Sequence, residues 1–164
     1  MANLNSILKE KQLLKKIDSP DGFYIVVDSR EQSPLFTSFI CLVKKKLEVG
    51  DYSILGFENS IIVERKSVDD FYNSIGKNRE QFTSNLEKIK QYEWKALVIE
   101  APESSLLGIS SLYSLLTPEQ IRWSLVSFNV KYGLHIYYGK TRKDCERWII
   151  DRFIYYYKLK RNVK

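Results

Sequence analysis

Short apolar strands alternating with capped amphipathic helices predict an α/β sandwich, with helices flanking both faces of a central mixed β-sheet. Runs such as Tyr24-Ile25-Val26-Val27-Asp28 and Ala96-Leu97-Val98-Ile99-Glu100 are apolar on both faces, as buried central strands are. Helix starts are marked by Ser67 with Asp70, by Thr117-Pro118-Glu119-Gln120 and by Thr141. The 164 residues suit one core, and 44% apolar residues with only 7 Gly and 4 Pro exclude a disordered chain.

From the N-terminus, Leu4, Ile7, Leu8, Leu14 and Ile17 recur at helical spacing among lysines, predicting an amphipathic helix within residues 1–20 that Pro20-Asp21-Gly22 ends. The Tyr24–Asp28 strand follows, then an extended segment from about Phe39 to Leu47. Val49 to Ile54 and Ser60 to Lys66 read as the arms of a hairpin turning at Gly56-Phe57-Glu58-Asn59. Ser67 opens a helical stretch that reaches Tyr92 and is broken near Gly76. After the 96–100 strand, Ile121, Leu125 and Phe128 give the helix begun at Thr117 an apolar face until Gly133 stops it. Leu134 to Tyr138 is the last strand, and Thr141 caps a final helix rich in Trp148, Ile149, Phe153 and Tyr156.

A net charge of +6 favours a polyanionic partner, because Lys and Arg that meet phosphates release condensed counterions. The lysines gathered at both ends suit solvated tails equally well. Cys41 and Cys145 match neither a metal-ligand spacing nor a disulfide framework. No apolar run has the length of a signal peptide core or a membrane span. The expectation is a cytoplasmic chain, near the nucleoid or in a host cell's cytoplasm, with no membrane partner.

The chemistry centres on Asp51, Glu64 and Lys66. Residues two apart in a strand share a face, so Glu64 and Lys66 project together while Arg65 points away. Asp51, on the opposing arm, can lie beside Glu64, and two carboxylates there make a site for Mg²⁺ or Mn²⁺ with Lys66 alongside. A metal that activates water, next to a cation that meets developing charge, is what phosphodiester hydrolysis needs. Three charged residues at a strand end also describe an exposed, salt-bridged edge, so the triplet alone leaves both readings open.

The wider string is more specific: Val27-Asp28-Ser29-Arg30-Glu31, then Gly50-Asp51, then Glu64-Arg65-Lys66 with Asp70 three residues on. It closely resembles the XPF-type nuclease domain, a branch of the PD-(D/E)XK restriction-endonuclease-like superfamily, over about Tyr24 to Tyr157. The resemblance implies a restriction-endonuclease-like three-layer sandwich over residues 21–164 and a DNA partner. It also implies metal ligation by Asp28, Asp51 and Glu64, and catalytic roles for Asp28, Glu31, Asp51, Glu64, Arg65, Lys66 and Asp70. Arg30 and Arg79, with Lys77 nearby, are expected to face the nucleic-acid backbone. Glu31 is readable as an orienter in place of a ligand, Asp70 as only a helix-capping acid, and Arg79 as a surface residue. His135 is expected to be a strand residue near the surface with no catalytic part. Relatives on branched DNA carry helix-hairpin-helix or helicase modules, so the expected form is a stand-alone domain like those of bacteria and phages. The implied activity is a Mg²⁺- or Mn²⁺-dependent DNA endonuclease, able to pair with itself or a related subunit. A catalytically silent DNA-binding partner of the same fold and a nuclease acting on RNA are the alternatives.

Overall fold

Alternation along each strand sorts the apolar side chains into two cores. The computed structural model describes residues 19–36, 41–108 and 116–162. Its strands are β1 (Ile25–Asp28), β2 (Leu42–Lys45), β3 (Tyr52–Ile54), β4 (Ile61–Lys66), β5 (Trp94–Ile99) and β6 (His135–Tyr138), forming one sheet in the order β2-β1-β3-β4-β5-β6. β3 is antiparallel to both β1 and β4, whereas β2 runs parallel to β1 and β5 parallel to β4 and β6. The mixed sheet is the expected one.

Val26, Ile62, Leu97 and Ile99 face the layer formed by α1 (Val68–Ile75), α2 (Arg79–Ile89), α3 (Glu103–Gly108) and α4 (Pro118–Tyr132). Ile25, Val27, Tyr52, Val63 and Val98 face the other way, onto Ile149, Ile150 and Phe153 of α5 (Arg142–Arg161). Burying a side chain of this size contributes about 1.5–3 kcal/mol, so the two cores dominate the stability of the three layers.

The capping signals act as read. Ser67 accepts a hydrogen bond from the Asp70 amide, Thr117 forms a capping box with Gln120, and Thr141 forms one with Asp144. Gly133 ends α4 at φ 69°, a left-handed conformation that glycine adopts without penalty. The helix α3 was not expected, because six residues with Leu106 alone buried carry no periodic signal. The predicted N-terminal helix and Phe39 and Ile40 of the predicted extended segment lie outside the described residues. Among those described, no helix is long and apolar enough to cross a membrane.

Because β3 runs against its neighbours, its first residues meet the last residues of β1 and β4. That crossing gathers Asp28, Asp51 and Glu64 to Lys66 at one end of the sheet.

Candidate active site

Asp51 is held by backbone on three sides. Its N–H donates to the Val63 carbonyl at 2.9 Å, its carbonyl accepts the Asp28 amide at 2.8 Å, and its Oδ2 accepts the Arg65 amide at 2.7 Å. The preceding Gly50 turns the chain at φ 78°, and its Cα hydrogens face Ile62 and the Val63 carbonyl with no room for a side chain. Glu64 and Lys66 share a face of β4 and pair at 2.7 Å through Glu64 Oε1. The Lys66 ammonium also lies 5.2 Å from the centre of the Phe82 ring. Burial works against its charge, but Glu64, then Asp51 and Asp70, outweigh it and hold the lysine above its ordinary pKa. Asp51 is also shifted upward, which disfavours its charged form: burial first, then the Glu64 charge, push it well above the usual carboxylate range.

Arg65 points to the far side of the strand, as alternation requires, and its guanidinium is nearly buried. It donates to both oxygens of Glu31, at 3.2 and 3.3 Å, and to Glu100 Oε1 at 2.8 Å. Arg142, at the start of α5, grips Glu100 at 2.8 and 3.1 Å and donates to the Ser33 and Pro34 carbonyls. Two cations and two carboxylates thus form a neutral chain that ties α5 to the loop carrying Glu31. Glu31 is an orienter of Arg65 in this arrangement, one of the two readings its sequence left open.

Asp28 ends β1 as expected, but all four of its acceptor sites are taken. Oδ1 accepts the Arg30 amide and Nε, both at 2.8 Å, while Oδ2 accepts Arg30 Nη2 at 3.1 Å and the Leu47 amide at 2.6 Å. Burial works to raise its pKa, and these donors overcome it and hold the carboxyl below its usual value. The three acids expected to share one ion line one cleft, but among the described residues no three His, Cys, Asp or Glu side chains are grouped to hold a metal. Among the described residues Asp51 Oδ1 and Glu64 Oε2 have no hydrogen-bond partner, and two hard oxygens of this kind, with phosphate and water completing the shell, suit Mg²⁺ or Mn²⁺.

These residues line one cleft of about 610 Å³, together with Glu48, Asp70 and the α2 residues Gln81, Asn85 and Lys88. Asp70 joins its two readings: it accepts the Ser67 hydroxyl at 2.7 Å as a helix-start acid, and its charge helps hold Lys66 protonated. Glu100 and Arg142 escaped the sequence reading. The first had a signal, an acid directly after an apolar strand; the second had none, lying far along the chain.

Lys77 and Arg79 stand outside this cleft. Arg79 donates to the Ile75 carbonyl at 3.3 Å and Ser124 Oγ at 3.2 Å, and it lines a separate concavity with Trp123. The physical reason is the end of α1, whose last carbonyls lack intrahelical donors and draw the guanidinium. His135 is exposed and stacks on Trp94 with ring centres 5.5 Å apart, a surface strand residue as expected.

The strained charge of Asp51 carries a stability prediction. Its pKa in the fold lies well above the ordinary carboxylate range, so the fold binds more protons than the unfolded chain as pH rises through that window. Its contribution to stability is therefore present at low pH and is lost as pH climbs through the folded pKa. Asp51→Asn, which keeps an acceptor for the Arg65 amide, is expected to melt higher than wild type at pH 8 without divalent metal, and to gain less at pH 5. The rise sought is a few degrees, since about 1 kcal/mol moves Tm by roughly 2–4 °C in a domain of this size. Equal melting temperatures at pH 8 would contradict the placement of this charge.

Residues 27–151 match the family model described as the ERCC4 domain. A Methanocaldococcus jannaschii protein named as an ATP-dependent RNA helicase is 30% identical over 122 residues, 73% of this chain and 14% of that protein. The 3′-flap repair endonuclease Xpf of Saccharolobus solfataricus is 26% identical over 106 residues, 64% of this chain and 41% of that protein. The chain thus spans less than half the length of either. The structure of XPF from Aeropyrum pernix in complex with DNA superposes with a TM-score of 0.63 at 22% identity, covering 82% of this chain and 64% of that one. The structure of the same archaeal protein described without DNA has a TM-score of 0.63 over 80% of this chain and 59% of that one.

Proposed function

This chain belongs to the ERCC4 domain family, and from that premise we propose that it is a divalent-metal-dependent DNA endonuclease acting on branched, flap or nicked DNA in the cytoplasm. One observation carries the reading: Asp51 and Glu64 line one cleft with the Lys66 ammonium, which Glu64 helps to hold charged. Family membership supports a nuclease, and the flap repair named for the Saccharolobus relative supports branched substrates.

The donor set fits Mg²⁺ or Mn²⁺, which Asp51 and Glu64 would hold, with Asp28 hydrogen-bonded beside them. When bound there, the ion supplies Lewis acidity toward a phosphoryl oxygen and a lower pKa for nearby water. Glu64 holds Lys66 protonated, and Lys66 meets the negative charge that grows on the phosphoryl group as water attacks in line. The Arg65 amide fixes the Asp51 carboxylate, while the Arg65 side chain, locked between Glu31 and Glu100, keeps that amide at a constant height. Arg30, anchored on Asp28, places its remaining donors at the cleft rim. Trp123, Val126 and Val130 form an exposed apolar stripe on α4 that suits pairing with a second copy or a related subunit.

The test is cleavage of single-stranded, duplex, flap, fork and four-way DNAs with Mg²⁺, with Mn²⁺ and with EDTA, with the product ends mapped. Cutting near a branch that EDTA abolishes is the expected result. Binding without cutting in every metal would make the chain a silent partner module, and cutting of RNA alone would reassign its substrate.

A further inference from the structure

The cleft has a second wall whose purpose the catalytic residues leave unexplained. Gln81, Asn85 and Lys88 follow one another at helical spacing on α2 and line the same cleft as Asp51, Glu64 and Lys66. Phe82, packed under this wall, also carries the Lys66 ammonium over its ring, so the wall stands directly beside the reacting centre.

Charge pairing singles out Lys88. Arg30 pairs with Asp28, Arg65 with Glu31 and Glu100, and Lys66 with Glu64. Among the described residues, Lys88 is the lining cation with no acidic partner, although acids crowd the cleft floor. A lysine in the last turn also complements the helix dipole. Lys90, at the same helix end and outside the cleft, meets that need equally and serves as an internal control. Gln81 Nε2 donates to Asn85 Oδ1 at 3.3 Å, which occupies the Asn85 acceptor and leaves its amide donors to the cleft.

We propose that Asn85 and Lys88 are the phosphate grip for the DNA strand being cut, holding phosphates next to the scissile one. Three residues apart on one helix face, their Cβ atoms stand about 5–6 Å from each other, a spacing that suits contacts to neighbouring phosphates of one strand. Contacts of this kind fix the register and direction of the strand and read no sequence. The proposal rests on the nuclease reading and adds which wall the strand lies against.

The experiment is fluorescence anisotropy of a labelled forked DNA with Ca²⁺ in place of Mg²⁺, over about 50–200 mM salt, paired with steady-state cleavage in Mg²⁺. Lys88→Ala is expected to weaken binding and to reduce the slope of log affinity against log salt by about 0.7–0.9, the loss of one phosphate contact. Lys88→Arg restores the slope. Asn85→Ala weakens binding with the slope unchanged, because it removes a neutral donor. In turnover Lys88→Ala raises KM and leaves kcat at the wild-type value, while Lys90→Ala changes neither slope nor KM. Lys88 is exposed on a helix where Ala is a good former, and circular dichroism checks that each variant folds. Equal slope losses for Lys88→Ala and Lys90→Ala, or a fall in kcat at constant KM, overturn the grip and leave the nuclease reading standing. A wild-type protein that neither binds nor cuts any DNA overturns both.

Discussion

Glu64→Gln is expected to lower kcat for DNA cleavage by about 10²–10³-fold, the scale of losing one group that meets transition-state charge. The change keeps the shape of the side chain and removes a charge with two duties. One oxygen is the proposed metal ligand, and the other holds the Lys66 ammonium at 2.7 Å. Without that carboxylate, burial is the dominant influence on Lys66 and its pKa falls, so activity loses a protonated lysine as well as a ligand. Lys66→Ala is expected to cost a similar factor. Lys66→Arg does not restore it, because a planar guanidinium cannot occupy the place of a compact ammonium. Two measurements separate the duties. Calorimetric Mn²⁺ binding weakens in Glu64→Gln and stays in Lys66→Ala, whereas single-turnover rates fall in both. Wild-type turnover in either variant would remove this centre from the mechanism.

Gly50→Ala is expected to have the largest effect on the fold. At φ 78° any L side chain is strained, which costs about 1–2 kcal/mol. A Cβ there would also stand 2.5 Å from Ile62 Cγ1 and 2.8 Å from Cδ1, against a fully buried side chain with no space to retreat. Overpacking of this kind costs about 1–3 kcal/mol more, so the expected loss is about 2–5 kcal/mol by urea unfolding. Gly56→Ala is the comparison. It has φ 85° and nothing within 4 Å of the added Cβ, so only strain applies and the loss stays near 1–2 kcal/mol. Gly50→Ala also lowers activity at temperatures where the protein remains folded, because the shift it forces moves Asp51 away from the Arg65 amide. Equal losses for the two variants would show that close approach to Ile62 is not why glycine precedes Asp51.

Much of the molecule was legible from local rules. Thr117, Gln120 and Gly133 mark the ends of α4 because helix termini are satisfied by residues within a turn of them. Period-two alternation placed Glu64 and Lys66 together and Arg65 opposite because a strand imposes that geometry on any sequence. Asp51 was placed beside Glu64 because a hairpin turn sets which residues oppose one another. These are short-range consequences of backbone geometry and need no knowledge of distant residues.

The tertiary fold decided what depends on partners remote in sequence. The acceptor sites of Asp28 are filled because the Leu47 amide and Arg30 converge on it. Arg79 left the cleft because the end of α1 and Ser124 of α4 drew it away. Arg142 reached Glu100 across the sheet, and among the described residues Lys88 was left without an acidic partner by pairings made elsewhere. The reason is that a charged side chain takes the best partner within reach, and which partners are within reach is set by sheet order and layer packing.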